Sequence, residues 1–278
     1  GLGKTGLSVV RHLHARGEHV IVADSRDIPP GLTELKADYA DVPVSAGAFD
    51  VGLFLNAARI IASPGIALKE PALTSAIASD VEVVGDIDLF AESVQSPVIA
   101  ITGSNGKSTV TELVACMAKD AGIDAVACGN IGLPVLDALK LNAELYVIEL
   151  SSFQLETLRH LPMRSSVVLN VSADHLDRYD SLQSYADSKQ RIYRHADTCV
   201  VNLDDELASL SDDHAACRKI GFTLSPPGPD SFGIRDDAIC FADERLIDVD
   251  DIALKGLHNM QNVMAALALG KTIELPMS

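Results

Sequence analysis

VIAITGSNGKSTVTELVACMAKDAG, Val98 to Gly122, reads as a buried strand, a glycine-hinged loop and an amphipathic helix. The strand is VIAIT, and the helix runs from Lys107 to Ala121. Its apolar residues Val110, Leu113, Val114, Met117, Ala118 and Ala121 recur at i, i+3 and i+4 spacing, which predicts one buried face. Between the two, Gly103 and Gly106 allow positive φ and a close approach of backbone to ligand. Successive N–H groups of Gly103, Ser104, Asn105 and Gly106 are expected to point into one concavity at the positive end of the helix. Lys107 supplies a mobile point charge, and Ser108 and Thr109 supply hydroxyls suited to Mg²⁺. That is the chemistry of a nucleoside triphosphate site. The common phosphate-loop pattern would put glycine at position 101, where this chain has Ile101, so TGSNGKS is a shorter variant.

A second glycine turn opens the chain. GLGKTG, with Gly1, Gly3 and Gly6, precedes the helical pattern of residues 6–17, and Asp24 ends the apolar run HVIVAD about 20 residues on. Taken alone, this spacing favours a dinucleotide whose ribose meets Asp24, but any diphosphate suits the same turn. RIIASPG and VEVVGD read as further strands, with PALTSAIASD as a helix between them. Alternating helices and strands predict an α/β fold with a mostly parallel sheet: a Rossmann-like domain, then a phosphate-loop ATPase domain. AESVQSP, Ala91 to Pro97, is the polar joint, which gives domains of residues 1–93 and 94–278. LYVIEL and SSVVLNVS are strands of the second domain, residues 198–249 are rich in strands and turns, and a last helix covers about Asn259 to Gly270. A turn like that at Gly1 follows a strand, so the first strand of the doubly wound domain is expected upstream of Gly1, and a closing element is expected after GKTIELPMS.

Composition narrows the partners. With 278 residues, 47% of them apolar, the chain can bury two cores. A net charge of −17 argues against non-specific binding to nucleic acid or anionic membranes, so phosphates must be met locally. Cys116, Cys128, Cys199, Cys217 and Cys240 form no CxxC pair, which predicts reduced thiols in a cytoplasmic protein. No apolar run approaches the roughly 20 residues of a membrane span.

TGSNGKST, GNIGLP (Gly129–Pro134), ELSSFQLE (Glu149–Glu156), DHLDRY (Asp174–Tyr179), YADSKQRIY (Tyr185–Tyr193) and LHNMQN (Leu257–Asn262) occur in that order. Together they resemble the Mur ligases of peptidoglycan synthesis over the whole chain. ELSSFQLE and SPGIAL (Ser63–Leu68) are similar to the branch that adds D-glutamate to UDP-N-acetylmuramoyl-L-alanine. The resemblance implies a UDP-substrate domain without its first strand, a central ATP domain, and a third, amino-acid-binding domain not contained here. The two glycine turns would then serve UDP and ATP respectively.

The implied reaction activates the L-alanyl carboxylate as an acyl phosphate, which the amine of D-glutamate displaces. By resemblance, Lys107, Glu149, His175 and Lys189 are catalytic. ATP is met by residues 103–109 together with Asn259 and Asn262. Ser108 and Glu149 hold one Mg²⁺; His175 and a carbamylated Lys189 hold a second. Gly3, Lys4, Thr5, Asp24, Ser25, Arg26 and Gly65 match the uridine-diphosphate end, and Asn130 and Ser151 the muramoyl-alanine portion. From spacing alone, Tyr185, Lys189 and Tyr193 share a helix face, which an exposed lysine would equally satisfy. Asp174 suits a helix cap, and Asn259 and Asn262 suit the polar start of a helix. A monomer acting on small molecules is expected. The alternatives are a sibling Mur or folylpolyglutamate-type ligase, a nucleotide-binding module without turnover, and, more distantly, an NAD-dependent oxidoreductase.

Overall fold

The computed structural model describes residues 1–174, 178–210 and 217–276. In chain order the first elements are α1 (Lys4–Ala15), β1 (Val22–Asp24), α2 (Leu32–Asp38), β2 (Val44–Ala46), α3 (Val51–Leu55), β3 (Arg59–Ile61), α4 (Pro71–Ala78), β4 (Glu82–Val84) and α5 (Asp86–Ala91). Then come β5 (Val98–Thr102), α6 (Lys107–Asp120), β6 (Ala125–Gly129), α7 (Val135–Ala138), β7 (Leu145–Glu149), α8 (Ser152–Thr157), β8 (Met163–Val168) and α9 (Leu182–Gln190). The chain continues through β9 (Ala196–Asn202), β10 (Arg218–Phe222), β11 (Ser231–Arg235), β12 (Ala238–Phe241), β13 (Glu244–Asp248) and α10 (Leu257–Thr272). Two compact units result: Gly1–Val94 with Pro134–Leu141 and Thr157–Leu161, and Gln95–Leu133 with Asn142–Glu156 and Pro162–Ser278.

The first unit holds two parallel pairs, β1 with β2 and β3 with β4. Leu2, Leu7, Val10, Val22 and Leu35 pack under the first pair; Phe54, Leu73, Ala76 and Val83 pack under the second. Arg11 fixes α7 into this unit, giving Asp137 both Nε (3.1 Å to Oδ1) and Nη2 (2.5 Å to Oδ2). Glycine is required at Gly6, because a Cβ there would run into the carbonyl oxygen of Gly1. The strand expected over HVIVAD is only Val22–Asp24, because Ile21 is exposed and does not extend it.

The second unit is built on a nine-stranded sheet of order β13-β12-β11-β10-β9-β8-β5-β7-β6. Its pairs are parallel from β6 to β11, and β12 and β13 add antiparallel at the edge. All five residues of β5 and of β7 are buried, as an interior parallel strand covered on both faces requires. Val110, Val114 and Ala118 of α6 and Met264, Ala265 and Leu269 of α10 share one core with Ile99, Ile101, Val147 and Val167. Ala121, expected on that buried face, is exposed one residue past the helix end. The chain leaves β5 toward β7 and β6 on one side and later adds β8 on the other. The loop after β5 therefore opens where the strand order reverses, the usual place for a ligand in such sheets.

One expectation is corrected. The scattered cysteines predicted reduced thiols throughout, but Cys199 and Cys217 form a disulfide. The cause is register. β9 and β10 are adjacent parallel strands with Thr198 opposite Arg218, which brings residues 18 apart in sequence to a Cα separation of 6.2 Å. Cys116, Cys128 and Cys240 remain free. No helix among the described residues is long and apolar enough to cross a membrane.

Candidate active site

The loop of residues 103–106 joins the buried end of β5 to α6, and Gly106 takes φ +85° to make the turn. Lys107 folds over it, its Nζ donating to the carbonyl oxygens of Gly103 (2.9 Å) and Ser104 (3.0 Å). Not every loop N–H faces the concavity predicted from sequence. Ser104 N donates to Asn170 O (2.9 Å), and Asn105 N donates to Asn170 Oδ1 (2.9 Å). The donors left to an anion include Gly106 N and those of the first turn of α6, at Lys107, Ser108 and Thr109, which have no intrahelical carbonyl to bond.

Glu149 ends β7 and is 2% exposed, so its carboxylate must be partnered. Oε2 accepts from Ser108 Oγ (2.8 Å) and Oε1 from Asn130 Nδ2 (2.9 Å). The preceding residue, Gly129, has no space for a Cβ against the Glu149 carbonyl. Two oxygens bound side by side to an octahedral Mg²⁺ at about 2.1 Å lie about 3 Å apart. The spacing of Ser108 and Glu149 fits that ion, and their hard oxygens are the donor type it takes. Among the described residues no cluster of three or more His, Cys, Asp or Glu gathers. His175, expected at a second ion, lies outside the described residues.

Lys189 is 1% exposed, on the buried face of α9 with Tyr185, and Tyr193 lies buried just beyond the helix. The exposed helical lysine that spacing alone allowed is thereby excluded. Its Nζ donates to Gly103 O (2.9 Å) and lies 4.4 Å from the Tyr185 ring centroid. Burial, with the Lys107 charge adding to it and Asp174 opposing, pushes the Lys189 ammonium down to about 7. Burial also lowers Lys107, against the pull of Glu149 and Asp174.

Asn262, on α10, is buried, and its Oδ1 occupies the place a Cβ on Gly106 would need. Its Nδ2 donates to Asn259 Oδ1 (3.3 Å). Both asparagines therefore stand at the same end of α10, with Asn262 against the loop. Ser151 caps α8 reciprocally with Gln154: Ser151 N donates to Gln154 Oε1 (3.1 Å) and Gln154 N to Ser151 Oγ (3.2 Å).

In the first unit, Gly3 is the N-cap of α1, with Lys4 and Thr5 as its first residues. Asp24 is 1% exposed and accepts four hydrogen bonds. Leu2 N (2.7 Å) and Arg26 Nη2 (2.7 Å) donate to Oδ2, and Arg26 N (2.9 Å) and Nε (2.8 Å) donate to Oδ1. These fill the acceptor sites of a carboxylate. Asp24 thus holds the glycine turn and Arg26, and leaves no acceptor over for a ribose hydroxyl. The Arg26 pairing keeps the Asp24 carboxyl well below the usual range. Ser25, Arg26 and Gly65 are exposed, and Ser63 Oγ donates to Gly1 O (3.3 Å), which brings the SPG turn beside the first one.

Sequence reasoning overlooked Asn170, Asn202 and Asp205. The one signal it had was Asn170 as the first polar residue after the apolar run of β8.

A nine-stranded sheet with a lysine-bearing phosphate loop at its strand reversal, and a hydroxyl–carboxylate pair beside it, defines the class: a phosphate-loop nucleotide-binding α/β protein. Residues 1–85 match the Mur ligase MurD-like N-terminal domain, and residues 101–270 match the Mur ligase middle domain. The chain belongs to the Mur ligase family. It is 50% identical over 282 residues to a UDP-N-acetylmuramoylalanine–D-glutamate ligase of Marinobacter nauticus, covering 100% of this chain and 63% of that protein. A protein of the same name from Nitrosococcus oceani is 48% identical over 99% of this chain and 62% of its own length. The chain thus spans less than two thirds of these relatives. The fold is also that of a Neisseria meningitides ligase structure, UDP-N-acetylmuramate:L-alanyl-gamma-D-glutamyl-meso-diaminopimelate ligase (TM-score 0.64, 18% identity, 100% of this chain and 93% of that one). A UDP-N-acetylmuramate-alanine ligase from Thermotoga maritima aligns at TM-score 0.56 with 19% identity, over 98% of this chain and 63% of its own.

Proposed function

We propose that this chain is the UDP-substrate and ATP portion of a cytoplasmic, monomeric ligase that adds D-glutamate to UDP-N-acetylmuramoyl-L-alanine in peptidoglycan synthesis. The observation that carries the reading is the Ser108–Glu149 pair, 2.8 Å apart beside Lys107 on the phosphate loop. Residues 1–93 serve the UDP end and residues 94–278 the ATP end, with the amino acid selected by a further domain.

The chemistry needs positive charge where a carboxylate approaches a polyanionic triphosphate. Lys107 and the first turn of α6 meet the phosphates, and Asn259 and Asn262 meet the adenine side. Mg²⁺ at Ser108 and Glu149 would neutralise charge on the phosphate oxygens. The L-alanyl carboxylate oxygen bonds the γ-phosphorus as ADP leaves; the D-glutamate nitrogen then bonds the acyl carbon, loses a proton, and phosphate leaves. Asn130, tied to Glu149, and Ser151, at the head of α8, meet the muramoyl-alanine portion. Gly3, Lys4, Thr5, Ser25, Arg26 and Gly65 meet UDP, with Asp24 holding Arg26 in place. A second Mg²⁺ is assigned to His175 and to Lys189 carbamylated by CO₂. Carbamylation needs a neutral amine, which burial of Lys189 favours. Lys189→Ala should lose activity that short carboxylates partly restore; a fully active variant removes the carbamate from the mechanism.

The test of the whole reading is phosphate release from ATP by the full reading frame, with UDP-N-acetylmuramoyl-L-alanine and Mg²⁺ present. Release that needs D-glutamate, and that neither L-alanine nor diaminopimelate supports, is the expected result. A folded protein that binds ATP yet releases no phosphate with any amino acid overturns it.

A further inference from the structure

We propose that Asn170 is the positioning residue of the phosphate loop: its carboxamide holds both backbone groups of Asn105 and so sets which N–H groups remain for the phosphates. This rests on the ATP reading above and adds a residue to it. Asn105 N donates to Asn170 Oδ1 (2.9 Å), and Asn170 Nδ2 donates back to Asn105 O (3.0 Å). The Asn170 main chain adds a third bond, its carbonyl accepting from Ser104 N (2.9 Å). A two-way pairing of this kind needs a side chain with a donor and an acceptor on one planar group. Aspartate has the shape without the donor, and alanine has neither.

Asn170 can act on the loop because its own neighbours are fixed by other elements. Leu169 N donates to Thr102 O (2.9 Å), and Leu169 O accepts from Asn202 Nδ2 (2.7 Å). Val171 N donates to Asp205 Oδ2 (2.8 Å), while Leu207 N (3.0 Å) and Ala208 N (3.2 Å) hold Oδ1 of the same carboxylate. The residues on either side of Asn170 are thus bonded to the end of β5, the end of β9 and the turn after β9. Ser104 Oγ completes the latch, donating to Ser172 O (3.1 Å) and accepting from Ser172 N (3.0 Å). The consequence is chemical. Two N–H groups that a looser loop would offer to an anion are spent on the protein. The phosphates are left to Gly106 N, Lys107 and the first turn of α6.

The experiment compares ATP and AMP titrated calorimetrically into the wild-type chain, Asn170→Asp and Asn170→Ala, with thermal unfolding of each. Asn170→Ala, which loses both side-chain hydrogen bonds to the loop, should bind ATP about tenfold more weakly, and Asn170→Asp, which loses only the donor, about three- to fivefold, each with AMP affinity within about twofold of wild type. ATP affinity unchanged in both variants overturns the inference. So does an equal loss for ATP and AMP with a lowered unfolding temperature, since that marks a merely structural residue. Hydrogen exchange on the wild type gives an independent reading: the Asn105 amide should be protected without nucleotide, and fast exchange there overturns the clamp. Failure of the wild type to bind ATP at all would instead strike the ATP reading.

Discussion

Lys107 and Lys189, from different helices, donate to the same oxygen: each Nζ lies 2.9 Å from the carbonyl of Gly103. Two ammonium groups so placed repel, and burial adds to the cost for Lys189. Lys189 is thereby driven toward the neutral amine, and Lys107 is left as the cation at this carbonyl that meets a polyphosphate. Replacing Lys107 with Met should weaken ATP binding about 10- to 100-fold, for charge-assisted bonds worth about 1.5–3 kcal/mol. Lys107→Arg should not restore it, because a planar fork cannot fold back over the loop as a point charge does. Calorimetric titration of ATP into the three proteins decides this, and wild-type affinity in Lys107→Met would refute it.

Glu149 supports a second expectation. Glu149→Gln keeps the shape and an oxygen for Ser108, but it removes the charge proposed to face Mg²⁺. The Mg²⁺ concentration needed for half-maximal ATP binding should rise about tenfold, the scale of one lost charge-assisted contact. ATP affinity measured in EDTA should not fall. A Mg²⁺ requirement equal to wild type would remove Glu149 from the metal site.

Much of this geometry was legible in the sequence, and the reasons differ by residue. β5 could be read because Val98 to Thr102 are apolar or β-branched and end on Gly103, and all five are buried. α6 could be read because a 3.6-residue period leaves one face apolar; only Ala121 at its frayed end departed. β6, Ala125–Gly129, went unread, since a five-residue run with two alanines and a glycine carries little period. The burial of Lys189 was invisible for another reason: i, i+4 spacing places a residue on a face without saying what covers it. Asn170 and the Cys199–Cys217 pair depend on which strands become neighbours, and that is a property of the whole sheet.

The Asp24–Arg26 pair sets an acid limit on the first unit. Its pairing holds the Asp24 carboxyl below the unfolded value of about 3.9. A depressed folded value means that the unfolded state binds more protons in this window. The stabilisation is therefore present above about pH 4 and lost as pH falls through the folded value. Asp24→Asn should lower the unfolding temperature at pH 6 and show a flatter decline than wild type between pH 4 and 2. Arg26 is 54% exposed, so solvent screening trims the effect, and Leu2 N supplies part of what remains. Parallel pH curves for the two proteins would show that the carboxylate has no such role.

Gly106 carries two separate costs for any side chain, and they can be measured apart. Its φ of +85° and ψ of −10° are left-handed, a conformation that strains an ordinary residue by about 1–3 kcal/mol. In addition, a Cβ there would meet Oδ1 of Asn262, a buried side chain with little room to retreat. Gly106→Ala should therefore destabilise the second unit by about 2–4 kcal/mol in denaturant unfolding, as strain and overpacking combine. Asn262→Ala removes the obstructing amide, so adding Gly106→Ala in that background should cost only the backbone part. A smaller increment in the double variant than in the single one assigns the difference to the Asn262 contact. Equal increments would mean that the turn conformation alone demands glycine, and no loss in either would show that the loop can leave the left-handed region without penalty.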